Sequence, residues 1–154
     1  MSRWWQRLLG GTPTPDGFDG TLDGEERVLA GTAVAGGGFV VATSLGIWVP
    51  LGDGHRRIGW HLVSKANWDG RTLTVIEADE IGTEIGTAGD AVLIADRPPQ
   101  RYHLPEPVNV PEVVHARVTR SVVHSEQAGD GTLRVRRRVP GRDGVHLQIR
   151  RPAP

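Results

Sequence analysis

No cysteine occurs in this 154-residue chain, which excludes disulfides, thiolate metal sites and cysteine nucleophiles together. Lysine is almost as scarce: Lys65 is the only one, so the basic charge is carried by arginine. That usage fits a GC-rich genome and is given no mechanistic weight. Long apolar runs are missing too. None approaches the ~18 residues of a membrane-crossing helix, and no charged-then-apolar leader precedes a small-residue cleavage site. The expectation is a soluble, cytoplasmic protein with no integral membrane segment. Apolar residues make up only 38% of the chain, beside 21 Gly and 11 Pro, so many turns and a modest core are expected. The length suits one domain with tails.

An excess charge of either sign is also lacking, since the formal net charge is zero. The balance hides an asymmetry. Residues 1–96 carry 7 basic and 13 acidic side chains, and residues 97–154 carry 11 basic and 5 acidic.

What is present begins with MSRWWQRLL, where Trp4 and Leu8, and Trp5 and Leu9, stand four apart. One helical turn would show all four on one face. Residues 10–24 are rich in Gly, Pro, Thr and Asp and read as a flexible linker. From residue 25 the period changes to two. Val28, Ala30, Thr32 and Val34 share one side of a first strand, and FVVATSLGIWVP reads as two strands around Ser44-Leu45-Gly46. In RRIGWHLVSKANWDG, Ile58, Trp60, Leu62, Ser64, Ala66 and Trp68 alternate with Gly59, His61, Val63, Lys65 and Asn67. That predicts one strand with Trp60 and Trp68 inward and His61 and Lys65 outward. Asp69-Gly70 turns the chain into 71–78. Residues 80–90 read as a loop, 90–96 as a strand, and the proline-rich 97–111 as an edge segment in which RYHL adds a short strand.

Over 111–125 the periodicity leaves two readings open. Val114, Val118 and Val122 recur every four residues, as on a helix, and also alternate, as on a strand. Pro111 and Glu112 suit a helix start, and a helix over 111–124 is the expectation. Residues 131–150 read as a hairpin around PGRDG. Leu133, Val135, Arg137 and Val139 fall on one side and Arg134, Arg136 and Arg138 on the other. His146, Gln148 and Arg150 are expected to project with the second set.

The run GEERVLAGTAVAGGGFVVATSLGIWVP through RRIGWHLVSKANWDGRTLTVIEA resembles a bacterial pleckstrin-homology-like domain. The matching residues are Glu26, Leu29, Ala42-Thr43, Leu45, Trp48, Ile58, Trp60, Val63, Trp68-Asp69-Gly70, Leu73 and Val75. The chain is also similar to short actinobacterial proteins sharing the RIGWHLVSKA-WDG and RRR-PGRDG phrases. The resemblance covers residues 25–125 and implies a mainly β fold, a partly open β-barrel of antiparallel meander strands with one capping helix. The C-terminal β-hairpin has no counterpart in it. The expected division is 1–24, a Trp-rich peptide and linker; 25–125, the barrel domain; and 126–154, a basic hairpin and tail. Such folds host binding far more often than catalysis, so the resemblance implies a binding module. Relatives that hold phosphoinositides use a basic loop between the first strands. The loops here, 35–38 and 44–46, carry no Lys or Arg.

The chemistry-bearing patterns are few. Six His show no ligand spacing. There is no nucleophile elbow, and AGGGF lacks the Lys-Ser/Thr of a phosphate loop. No catalytic residue, metal ligand or cofactor is therefore expected. Two contact elements stand out. Trp4, Trp5, Leu8 and Leu9 are candidates for docking a protein partner. Arg134, Arg136, Arg138, Arg142 and Arg150 are candidates for binding anions, weighed against a solvated face balanced by the acidic half of the same molecule or of a second copy. The leading expectation is a non-catalytic adaptor with a protein partner. The alternative is a nucleic-acid- or ribonucleoprotein-associated factor using the arginine ribbon, and a homo-oligomer remains open.

Overall fold

A computed structural model describes residues 13–86 and 89–152. The candidate docking residues Trp4, Trp5, Leu8 and Leu9 lie outside the described residues. The architecture is mainly β, with strands curling into an open half-barrel and a single α-helix among the described residues.

The first sheet is an antiparallel meander in the order β1 (Val28–Ala33), β2 (Phe39–Thr43), β3 (Gly46–Leu51) and β4 (Gly54–Gly59). The β2–β3 reversal is tight because Thr43 Oγ1 accepts hydrogen bonds from the backbone N–H groups of Leu45 (3.1 Å) and Gly46 (3.2 Å). Gly46 is required there: a Cβ on it would stand 2.2 Å from the carbonyl oxygen of Ile58.

The expected single strand over 58–68 is broken. Trp60–Leu62 form a 3-10 turn, and β5 (Val63–Trp68) starts afresh beyond it. The break and a register shift between Val63 and Lys65 disturb the alternation only locally: Ala66 and Trp68 pack against the core and Lys65 and Asn67 are exposed, as expected. Trp60 is buried as expected, but Val63, expected outward, is fully buried. The chain then reverses at Asp69-Gly70, where Asp69 Oδ1 accepts from the N–H groups of Arg71 (2.8 Å) and Thr72 (2.7 Å). Gly70 takes a φ of +97°, open to glycine at no steric cost.

Of residues 80–90, expected to be a loop, 80–86 extend a long strand and 89–90 open the next one. β6 (Thr72–Gly86) pairs with β5 and with β8 (Gln100–His103) along its first half, then with β7 (Gly89–Asp96) along its second. Glycines at 82 and 86 imitated a loop. The pairing shifts register between Glu80 and Gly82, and Ile81 is the extra residue at that irregularity.

Helix α1 (Val110–Ser121) begins behind Asn109 with Pro111 in its first turn. It ends three residues earlier than expected, because Val122 and Val123 open β9 (Val122–Gln127). β9 pairs with β10 (Leu133–Arg138), β10 with β11 (Val145–Arg150), and β11 runs parallel to β7. The terminal hairpin is thus built into the sheet order β5-β6-β7-β11-β10-β9.

The core lies between the two sheets and is closed by the helix. Val110 and Val114 of α1 are fully buried against Ala30, Val40 and Ile47 of the first sheet and Leu73 and Val75 of the second. Each such side chain contributes about 1.5–3 kcal/mol of burial. Trp60 is 2% exposed, and its Nε1–H donates to the Thr43 carbonyl at 2.9 Å, which satisfies the indole's one polar group.

The outer face of the first sheet carries a second, smaller cluster of Val28, Val41 and Trp48. Residues 13–24, read from composition as a linker, lie across it. Phe18 packs edge-on against Trp48 (5.6 Å) and His55 (4.9 Å). His55 in turn contacts Asp19 (2.6 Å) and accepts from Phe39 N–H (3.0 Å). One phenylalanine and one histidine pin a segment whose composition alone argues for mobility.

Beneath this layer Glu26 is enclosed, its side chain wholly shielded from solvent. Burial alone would raise its pKa. Donation from Thr43 Oγ1 (2.5 Å), Trp48 Nε1 (2.9 Å), the Asp23 N–H (3.0 Å) and Arg57 (2.7 Å) outweighs that, and the carboxylate is held below its usual range.

Candidate functional site

The hairpin register decides which arginines meet. Antiparallel pairing sets Arg137 opposite His146, Val135 opposite Gln148, and Leu133 opposite Arg150. Residues directly opposite share a face. His146, Gln148 and Arg150 therefore point with Arg137, not with Arg134, Arg136 and Arg138 as expected. The cause is the loop over 139–144, whose length fixes the register and cannot be read from alternation.

The shared face turns toward the barrel and is polar. Arg137 is 4% exposed, Gln148 1%. Arg137 donates to the carbonyls of Val63 (2.8 Å) and His61 (3.2 Å) and to Ser121 Oγ (3.2 Å). Gln148 donates to the His61 carbonyl at 2.6 Å. The 3-10 turn that interrupted the expected strand thus supplies the acceptors that seat the hairpin. Burial, with the nearby charge of Arg150, lowers the Arg137 guanidinium to about 10. All three of its acceptors are neutral, so its charge is solvated by dipoles alone.

On the other side of this contact lies a pocket of about 250 Å³. The end of α1 contributes Arg117, Arg120 and Ser121. Arg117 and Arg120 stand three apart and share a helix face. The end of β10 contributes Arg138, and the following loop contributes Val139, Pro140, Gly141 and Arg142, with Ser44 and Trp60 completing the lining. No carboxylate among the described residues lines it. Arg138 is steadied by donation to the Arg120 carbonyl (2.9 Å), an open acceptor of the helix end. Burial, with the charges of Arg120 and Arg27, lowers the Arg117 pKa.

The five candidate arginines separate. Arg138 and Arg142 line the pocket. Arg134 and Arg136 lie across the sheet in a groove shared with Glu84 and Asp90, and Arg134 pairs in register with Glu126. Arg150 is bound to Asp96 (2.7 Å) and Ser64 Oγ (2.7 Å). Two pocket members were missed. Arg117 and Arg120 were hidden by assigning their segment only a plugging role, although their i, i+3 spacing near a helix end was visible in the sequence.

The same 139–144 loop borders a wider cleft of about 810 Å³, which holds His61 and His146. Their rings meet edge-on at 5.4 Å. His61 was expected on an outward face; the 3-10 turn rotates it under the hairpin. Burial, with the charges of His146, Arg137 and Arg142, lowers its pKa to about 4, and its Nδ1 is buried with no partner among the described residues. No group of three possible metal ligands forms among the described residues. No helix among them is long and apolar enough to cross a membrane. Neither a family model, nor a curated protein, nor a solved structure matches the chain.

Proposed function

We propose that the chain is a cytoplasmic, non-catalytic binding module of the pleckstrin-homology-like kind, and that it docks an acidic segment of a protein partner in the arginine pocket. One observation carries the reading: Arg117, Arg120, Arg138 and Arg142 converge on one pocket that no carboxylate among the described residues lines. Guanidinium forks match carboxylates in bidentate geometry, and such charge-assisted bonds are the strong ones. Val139 and Pro140 in the same lining give the stem of a Glu or Asp an apolar contact.

Tracking along a nucleic-acid backbone would use a stripe of free cations. Arg134 and Arg136 instead sit beside Glu84 and Asp90, and Arg150 is held by Asp96. The disposition favours a protein carboxylate entering a pocket.

The test is fluorescence anisotropy with a labelled Glu/Asp-rich peptide and, in parallel, a labelled oligonucleotide. Changing Arg117 and Arg120 together to Ser should weaken peptide binding at least about tenfold, from ~1.5 kcal/mol or more per charged hydrogen bond. Changing Arg134 and Arg136 to Ser should leave it intact. Equal losses from both pairs, or binding of the oligonucleotide alone, would overturn the proposal.

A further inference from the structure

The ends of the two sheets are not alike. At the β1 edge, the N–H of Ala35 donates to the His103 carbonyl (2.9 Å) and the Thr32 hydroxyl donates to the Glu106 carbonyl. At the β5 edge, the carbonyl of Val63 is taken by Arg137. Among the described residues β9 has no such cover. It is the terminal strand of its sheet, and all six of its residues, Val122–Gln127, are exposed. Among the described residues only β10 pairs with it. Natural edges of this kind are protected by lysine, proline, a covering segment or a bulge. VVHSEQ holds no Lys and no Pro. The irregularity in its pairing falls between Arg136 and Arg137, opposite the start of the strand, which leaves 124–127 in regular register.

We infer that β9 pairs edge to edge with the β9 of a second copy, antiparallel about a twofold axis through Ser125. Three observations select this occupant. A twofold axis makes the contact self-complementary, so each residue meets a defined partner. Centred on Ser125, the pairing sets His124 of one copy opposite Glu126 of the other, twice. The strand therefore matches itself in charge without placing like charges opposite one another. His124 and Glu126 already share a face, with His124 Nε2 3.9 Å from Glu126 Oε2. The chain's zero net charge adds no long-range repulsion between copies. Val122 and Val123, 38% and 45% exposed, lie along the joined edge.

The chain's lack of cysteine makes the test direct. Residues opposite each other across the axis would stand about 4.5–5.5 Å apart, within disulfide reach. Residue 127 of each copy would lie about 14 Å from its equivalent, four residue steps of ~3.4 Å. Sedimentation equilibrium of the full chain over a concentration series should show dimers. Ser125→Cys should cross-link rapidly under mild oxidation and Gln127→Cys should not. Ser125→Lys, which sets two ammonium groups against each other, should give monomers with unchanged near-ultraviolet circular dichroism. Monomers at every concentration, cross-linking at 127 rather than 125, or a dimer indifferent to Ser125→Lys would overturn the inference.

Discussion

The barrel and the hairpin flank are parts of one fold held by different forces. Inside the barrel, Ile47, Trp60, Leu73, Leu104 and Val114 meet one another with almost no solvent exposure. Under the hairpin the contact is Arg137 and Gln148 against the backbone of His61 and Val63. Apolar burial is strong and non-directional. Hydrogen bonds to a backbone carbonyl add little net stability but demand one position. The barrel therefore provides the stability, and the flank provides the aim. The arginine pocket sits at the junction, its helix arginines fixed by the first region and Arg138 and Arg142 by the second.

The sharpest way to break the contrast is inside the barrel. Trp60→Ala removes the largest side chain of the core cluster and should cost about 3–5 kcal/mol. Urea unfolding should show the loss in one cooperative transition. A variant as stable as the parent would remove Trp60 from the core.

A smaller, local effect is expected from Arg137→Met, which keeps the bulk of the side chain and deletes its donors. Stability should fall by about 1–2 kcal/mol. Amide exchange should quicken in β10 and β11 and stay unchanged in β2 and β3. Uniform acceleration through both sheets would mean that the flank is no separate layer of stability.

A third effect is confined to acid pH. The His61 imidazole titrates at about 4 in the folded chain against 6.5 for the free group. Between these values the unfolded chain takes up a proton that the folded chain refuses, so stability is complete above 6.5 and declines as pH falls toward 4. His146, also shifted downward, acts in the same sense over this window, and Glu26 does so below its ordinary 4.5. The melting temperature should drop over that window, and His61→Gln should flatten the drop.

Much of the barrel was legible because its signals are local. Asp69-Gly70 marks a turn that the Asp69 side chain makes, and the alternation of β1 sets Ala30 inward, whereas an irregularity between Val28 and Ala30 turns Val28, expected on the same side, to the outer cluster. The pieces that were not legible depend on partners distant in sequence. His61 gave no hint of a 3-10 turn, whose backbone is held by residues 137 and 148. The glycines at 82 and 86 are the exception: their pairing is local, with Gly86 opposite Gly89 and Ile85 opposite Asp90, and glycine's poor strand propensity masked it. The hairpin alternation set Arg137 on one side with Leu133 and Val135, apart from Arg134, Arg136 and Arg138, and Arg137 is the buried one, yet the facing strand was set one residue off, since the 139–144 loop fixes register by its own geometry. For the candidate pocket, two of four arginines were named beforehand. The other two needed the knowledge that the end of α1 meets the end of β10.

The parallel pairing of β7 with β11 carries a consequence in time. β7 emerges during synthesis long before its neighbour, and the strands that follow it, β8 and β9, go elsewhere. Until Val145–Arg150 arrive, the β7 edge stays open, beside a hairpin displaying Ile81 and Ile85 at 64% and 83% exposure. Long-range pairing of this kind is slow to form, so the nascent chain passes through an interval with an adhesive border, closed only when β11 docks.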